Sequence, residues 1–258
     1  MLHFLFPSDS FRASSIDEMF VDQCDAVQSR GYSSSLVPES FFRNSRPLNG
    51  IPSGATVIYR GWMLDAASYE KLHTAVAQQN ASMLTSPPQY LAAHHLPNWY
   101  PLITELTPET RILDPQDDPE SQLRAIGWPR YFVKDYVKSL KTGQGAIIDH
   151  PAQIKPLLAE MERIRGEIEG GVCVRRVEEF VQDSERRYFV VESTPHAGGG
   201  GDVPEIVTEV AKRVSLPFYS VDVVRHTDGR SRVVEIGDGQ VSDIVGWNAA
   251  EFASIWKA

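Results

Sequence analysis

Residues 218–243 read FYSVDVVRHTDGRSRVVEIGDGQVSD. Asp228-Gly229, set between two apolar runs, is a strong hairpin-turn signal. Taken as a two-residue loop and counted outward, it places Thr227 opposite Arg230, Val224 opposite Val233 and Asp222 opposite Glu235. Directly opposed residues share one face with Cβ atoms about 4.5–5.5 Å apart, where like charges are destabilising. A divalent cation would relieve that repulsion, and magnesium commonly takes one or two carboxylates together with substrate phosphates. Asp238 follows on the turn Gly237-Asp238-Gly239 and can reach the same point. Val221, Val223, Val233, Val234 and Ile236 mark the pair as buried. A different register, an Asp222–Arg232 ion pair, or a solvated acidic pair are the alternatives that this spacing leaves open.

Upstream, residues 127–145 read GWPRYFVKDYVKSLKTGQG, a short strand (Tyr131–Val133) ending in Lys134 and then a loop with Lys138, Lys141, Gly143 and Gly145. It is not a P-loop, because no Gly-Lys-Ser/Thr stands at the required spacing. Gln153–Arg165 is helical by its spacing of Ile154, Leu157, Leu158, Met161 and Ile164. Val172–Val181 is expected to pair with Arg187–Glu192, and the glycine run within His196–Asp202 to form a flexible loop before a helix at Val203–Val214.

The N-terminal part alternates between strand and helix. His3–Phe6, Ser33–Val37, Ala55–Tyr59 and Ser82–Thr85 read as strands, with helices at Ser15–Ser29 and Ala66–Gln79. That alternation predicts a small parallel sheet. A proline-rich segment, 86–120, carries one short helix around Gln89–His95 and marks a boundary. The fold class is therefore α/β, turning α+β in the C-terminal half.

A net charge of −9 opposes nucleic-acid binding unless a local basic patch exists, and a bound nucleotide would need its own cations, local Lys/Arg or a metal. Two cysteines, Cys24 and Cys173, are too few for a disulfide framework. No apolar run approaches membrane-spanning length, and MLHFLFPSDSFRASS has no basic leader. The expected setting is the cytoplasm, with neither nucleic acid nor membrane as partner.

Taken together, the C-terminal run, the lysine loop and the stretch VRRVEEFVQDSERRYFVV (174–191) resemble the ATP-grasp superfamily, and within it the short RimK-like proteins of bacteria and phages. The resemblance implies an N-terminal α/β domain and connector over 1–110 and an ATP-grasp domain over 111–258. In the latter, a small lobe (about 121–180) and a large lobe (about 181–258) would sandwich ATP. It implies that Asp222, Glu235 and Asp238 hold magnesium, with manganese as the other candidate ion. Lys134 would meet the α- or β-phosphate, with Lys138 and Lys141 in a lid. Glu178, Glu179, Phe180 and Val181 would grip adenine, Glu185 the ribose, and Arg187 would act with Lys134 as an electrostatic catalyst. The family usually has Asn two positions after the Glu; here that position is Gly237, and Asp238 comes one later. The family's earlier lysine is absent from SPPQYLAAHHLPNWYPLI (86–103), where His94 or His95 takes its role or the contact is missing.

The implied activity is ATP-dependent joining of a carboxylate to an amine, an amino acid or peptide, through an acyl phosphate. A kinase-like transfer and a non-catalytic nucleotide-binding regulatory or immunity module are the alternatives. Arg12, Arg60 and Gly199 are candidates for the substrate side. Relatives of this kind often form homodimers, but no interface is legible in the sequence.

Overall fold

The computed structural model describes residues 1–44, 47–139 and 145–256. Strands β1 (Leu2–Pro7), β2 (Ser33–Val37), β3 (Thr56–Tyr59) and β4 (Ser82–Met83) form a sheet in the order β2-β1-β3-β4. Every pairing in it is parallel, as the alternation predicts. Phe4, Leu5 and Phe6 of the central β1 are fully buried, which explains the continuous apolar run: helices cover both faces of a parallel sheet. Helices α1 (Val21–Ser29), α2 (Glu39–Asn44), α3 (Ala66–Ala77) and α4 (Pro87–His94) connect these strands and leave the last. Asp65 caps α3, its carboxylate accepting from the Ser68 N–H at 2.7 Å. The first helix starts later than expected. Asp17 caps a 3₁₀ turn, Glu18–Phe20, that runs into α1.

Next come α5 (Leu96–Trp99), β5 (Thr110–Ile112), α6 (Pro119–Ile126), β6 (Tyr131–Asp135), β7 (Ile147–Ile148), α7 (Ile154–Arg165) and β8 (Val172–Arg176). A second sheet has the order β5-β8-β6-β7 and is antiparallel throughout. Its core joins Tyr131, Val133 and Val174 to Leu157 and Met161 of α7. The third sheet, β10-β9-β11-β12, contains β9 (Arg186–Val191), β10 (Thr194–Ala197), β11 (Phe218–Arg225) and β12 (Ser231–Asp238). Helix α8 (Glu205–Arg213) precedes β11, and α9 (Ala249–Ser254) follows β12, capped by Asn248 and Glu251.

Two expectations are corrected. The segment 172–181 does not pair with 187–192: β8 lies between β5 and β6, while β9 forms its hairpin with β10. The β9–β10 turn is Glu192-Ser193, both with positive φ (47° and 63°), a turn without the glycine or asparagine that would announce it. The glycine run is tethered. Gly199 N–H donates to Glu251 at 3.1 Å, and a Cβ on Gly198 would stand 2.5 Å from the Trp247 ring.

The chain divides into two compact units, both discontinuous: Met1–Ala93 with Arg186–Val221 and Gly237–Ala258, and His94–Glu185 with Asp222–Ile236. The sequence-based boundary near residue 110 assumed contiguous pieces. The hairpin β11–β12 contributes to both units, which no contiguous boundary can express.

Candidate functional site

In the unit built on the second sheet, Lys134 sits at the end of β6 and is 4% exposed. Its Nζ lies 3.4 Å from Oε1 of Glu235 on β12, 101 residues away in sequence. Burial pulls the Lys134 pKa down, and Glu235 opposes that pull. Arg175 of β8 is also buried, its pKa lowered to about 10 by desolvation and supported chiefly by Glu235. Both buried cations draw on Glu235, whose side chain is 44% exposed, and Glu178 also supports Arg175. Buried charge in excess of its partners is costly, and an anion arriving there would offset it.

The strand carrying Glu235 is held along its length. Arg232 forms a bidentate pair with Glu178 (2.8 and 2.7 Å) and donates to the carbonyls of Glu105 and Thr107. Val233 N–H donates to the Leu106 carbonyl, and Thr107 Oγ1 to the Val233 carbonyl at 2.7 Å. The ion pair between Asp222 and Arg232 considered from sequence is therefore replaced by Glu178–Arg232. Asp222, on β11, is 2% exposed.

The turn differs from the two-residue count. His226 N–H donates to Arg230 C=O and Gly229 N–H to His226 C=O, with Gly229 at φ +92°, so the residue facing Arg230 is His226 rather than Thr227. At the open end, Gly239 N–H donates to Phe218 C=O, the expected register. Between these bonds β12 holds one residue more than β11, the signature of a bulge.

The expected adenine segment follows β8. Glu179 C=O accepts from Thr227 N–H, and Val181 N–H donates to Arg225 C=O, both at about 2.9 Å. Alternation along an extended strand leaves the Phe180 N–H and C=O on the opposite edge. Glu178 contributes its carboxylate to the Arg232 pair, and Glu185 is exposed. The lysine loop is anchored where it begins: buried Asp135 accepts from the Val137 and Lys138 N–H groups and pairs with Arg165 at 2.6 Å. Lys138 is exposed, and Lys141 lies outside the described residues. His94 is buried and held neutral, its pKa lowered to about 3 by desolvation, with His95, Lys138 and Lys134 adding to the effect. His95 lies 3.4 Å from Glu169.

The remaining candidates lie in the other unit. Asp238 is fully buried. Its Oδ1 accepts from the Gln240 N–H and Nε2 groups, its Oδ2 has no partner, and desolvation raises its pKa to about 7. Arg60, expected to meet a substrate carboxylate, is 1% exposed and instead donates to Gln23 and to the carbonyls of Gly239 and Ser242. It braces the turn after β12. Arg187 donates to the Asp243 carbonyl at 3.0 Å. Arg12 is exposed on a turn held by Asp9, and Gly199 is exposed in its tethered loop. Among the described residues, no three His, Cys, Asp or Glu side chains converge as a metal cluster. Oxygen donors on neighbouring strands, Asp222 and Glu235, do fit a magnesium ion that takes its other ligands from phosphate.

Sequence reading missed Arg175 and Thr107, and considered Arg232 only as a partner of Asp222. The signal available was weak: an arginine inside the apolar strand VCVRR (172–176), where burial is expected.

The architecture is that of ATP-grasp proteins. Similar solved structures include the D-cycloserine synthetase DcsG, 14% identical with a TM-score of 0.66 over 98% of this chain and 97% of that one. A RimK-domain ATP-grasp protein from Sphaerobacter thermophilus is 17% identical, with a TM-score of 0.63 and 98% of each chain covered. The macrocyclase MdnC of Microcystis aeruginosa, bound with its precursor peptide MdnA, is 14% identical, with a TM-score of 0.62 and 99% of each covered. No curated protein matches the sequence. A family model described as an ATP-grasp domain, family 3 of its clade, matches residues 125–258, and the chain belongs to that family. The fold expected from the sequence is borne out.

Proposed function

We propose that this chain is an ATP-dependent ligase that joins a carboxylate to an amine through an acyl phosphate. The observation that carries the reading is the approach of buried Lys134 to Glu235, with buried Arg175 in the same unit. The named activities of the structural relatives, a synthetase and a peptide macrocyclase, support an amino acid or peptide as substrate.

In this reading a substrate carboxylate oxygen attacks the γ-phosphorus of ATP and ADP departs. An amine then attacks the acyl carbon, phosphate leaves, and the amine loses a proton. Lys134 neutralises phosphate charge, and Arg187 serves the transferring or acyl group. Lys138 and Lys141 cover the phosphates, the Phe180 peptide edge with Glu179 and Val181 receives adenine, and Glu185 the ribose. Asp222 and Glu235 would hold magnesium, or manganese, which when bound screens the phosphate oxygens. Such catalysis is mostly positioning and charge stabilisation. Arg12 and Gly199 are the remaining candidates for the substrate side, in a cytoplasmic enzyme compatible with a homodimer. No helix among the described residues is long and apolar enough to cross a membrane.

The test is a screen of amino acids and short peptides for stimulated ADP release, with mass spectrometry of the products. An amide product that disappears in Asp222→Asn and Glu235→Gln supports the reading. Phosphorylated product without amide would make the chain a kinase, and magnesium-independent ATP binding without turnover would make it a binding module.

A further inference from the structure

Arg175 is an unusual use of a guanidinium. It is 5% exposed, has no carboxylate within ion-pair distance among the described residues, and leaves its Nε without a partner. One terminal nitrogen donates to the Val234 carbonyl, the peptide group that leads into Glu235, at 2.5 Å. The other donates to Thr107 Oγ1 at 2.5 Å. The Thr107 hydroxyl passes its own proton to the Val233 carbonyl at 2.7 Å. A hydroxyl donates once and accepts once in such a chain, so the connector and β8 grip two successive carbonyls of β12.

We propose that Arg175 and Thr107 form a positioning relay that fixes the backbone before Glu235, so that its carboxylate is held for a magnesium–nucleotide while Lys134 stays close. The inference rests on the nucleotide reading given above. Two features separate the relay from ordinary packing. A neutral side chain would satisfy the same carbonyls without the cost of burying a charge. And the charge that is buried lies beside the one carboxylate that Lys134 also uses, so it adds to a positive field suited to polyphosphate. The planar fork of an arginine can hold two acceptors at fixed spacing, which a lysine cannot.

The experiment is calorimetric titration of the full chain with ADP at a series of magnesium concentrations. Wild type is compared with Thr107→Val, Arg175→Lys and Arg175→Met, and each variant is checked for folding by circular dichroism and thermal melting. Groups that orient a metal ligand typically change metal affinity or activity by about 10–100-fold. Thr107→Val and Arg175→Met are therefore expected to raise the magnesium needed for half-maximal ADP binding by about that factor, with Arg175→Lys recovering part of it. Folded variants with the wild-type magnesium requirement, or with lowered melting temperature alone, would overturn the relay and leave the nucleotide reading standing. Thr107→Val keeps the buried cation, so the result does not depend on Arg175→Met folding. Wild-type protein that binds ADP without any magnesium dependence would instead overturn the magnesium site of that reading, and the relay with it; wild-type protein that binds no ADP would overturn the nucleotide reading itself.

Discussion

Arg60 and Lys134 are both almost wholly removed from water, at 1% and 4% exposure, yet they live in opposite circumstances. Arg60 is answered on every side. It grips Gln23 and the Gly239 and Ser242 carbonyls, lies 4.5 Å over the Phe252 ring, and has the Asp243 charge within electrostatic reach, with Arg187 opposing it. Lys134 has one carboxylate at 3.4 Å and a second buried cation, Arg175, working against it. The first network closes on itself and reads as architecture. The second is left with positive charge to spare, as the proposed phosphate contact of Lys134 requires.

The comparison can be broken most decisively at Arg60. Removing one member of a buried charge network typically costs about 3–5 kcal/mol. Arg60→Met should lose stability on that scale in urea unfolding while the folded fraction keeps its nucleotide affinity. Lys134→Met should do the reverse: about a 10²–10³-fold fall in turnover, the range seen when a single electrostatic donor is removed. Its stability should be kept or improved, since an undersatisfied charge leaves the interior. An Arg60→Met protein of wild-type stability, or a Lys134→Met protein of wild-type turnover, would erase the distinction.

A smaller effect sharpens the first network. Asp238 keeps its proton up to about pH 7 in the folded chain, while an unfolded aspartate releases it near pH 3.9. Between those values the folded state binds more protons, so this group's contribution to stability is present below about pH 4 and is lost as pH rises towards 7. Asp238→Asn should remove that slope. The difference from wild type should grow by on the order of 1–2 kcal/mol between pH 5 and 7, read from urea midpoints at each pH. The least effect is expected at exposed Arg12. Arg12→Ala should leave stability within about 0.5 kcal/mol and alter only the KM of a substrate that it touches.

Legibility followed the range of the interactions. The parallel sheet was readable because β1 and β3 carry apolar runs and strand and helix patterns alternate along the chain, with Asp65 capping α3. The hairpin β11–β12 was readable because Asp228-Gly229 announces it, although the turn is one residue longer than counted. The β9–β10 hairpin was not readable, because Glu192-Ser193 takes positive φ without a residue that favours it. The segment 172–181 does not pair with 187–192 for a different reason: nearness in sequence does not decide strand order, and β8 finds β5 and β6 instead. Asp222, Glu235 and Lys134 were legible as charged residues in apolar strands. Arg175 was in the same position and was passed over.

What the sequence determined by itself is the set of local choices: which segments extend or coil, where Asp65 and Asn248 begin helices, and which charges must be buried. These depend on neighbours within about one turn or one strand pair. What only the tertiary structure decided is which buried charge meets which. Lys134 meets Glu235 across 101 residues, Glu178 takes Arg232, and Arg60 braces a turn nearly two hundred positions away. Pairing at that separation carries no sequence period, because it is set by how strands stack and by the cost of leaving a buried charge without a partner.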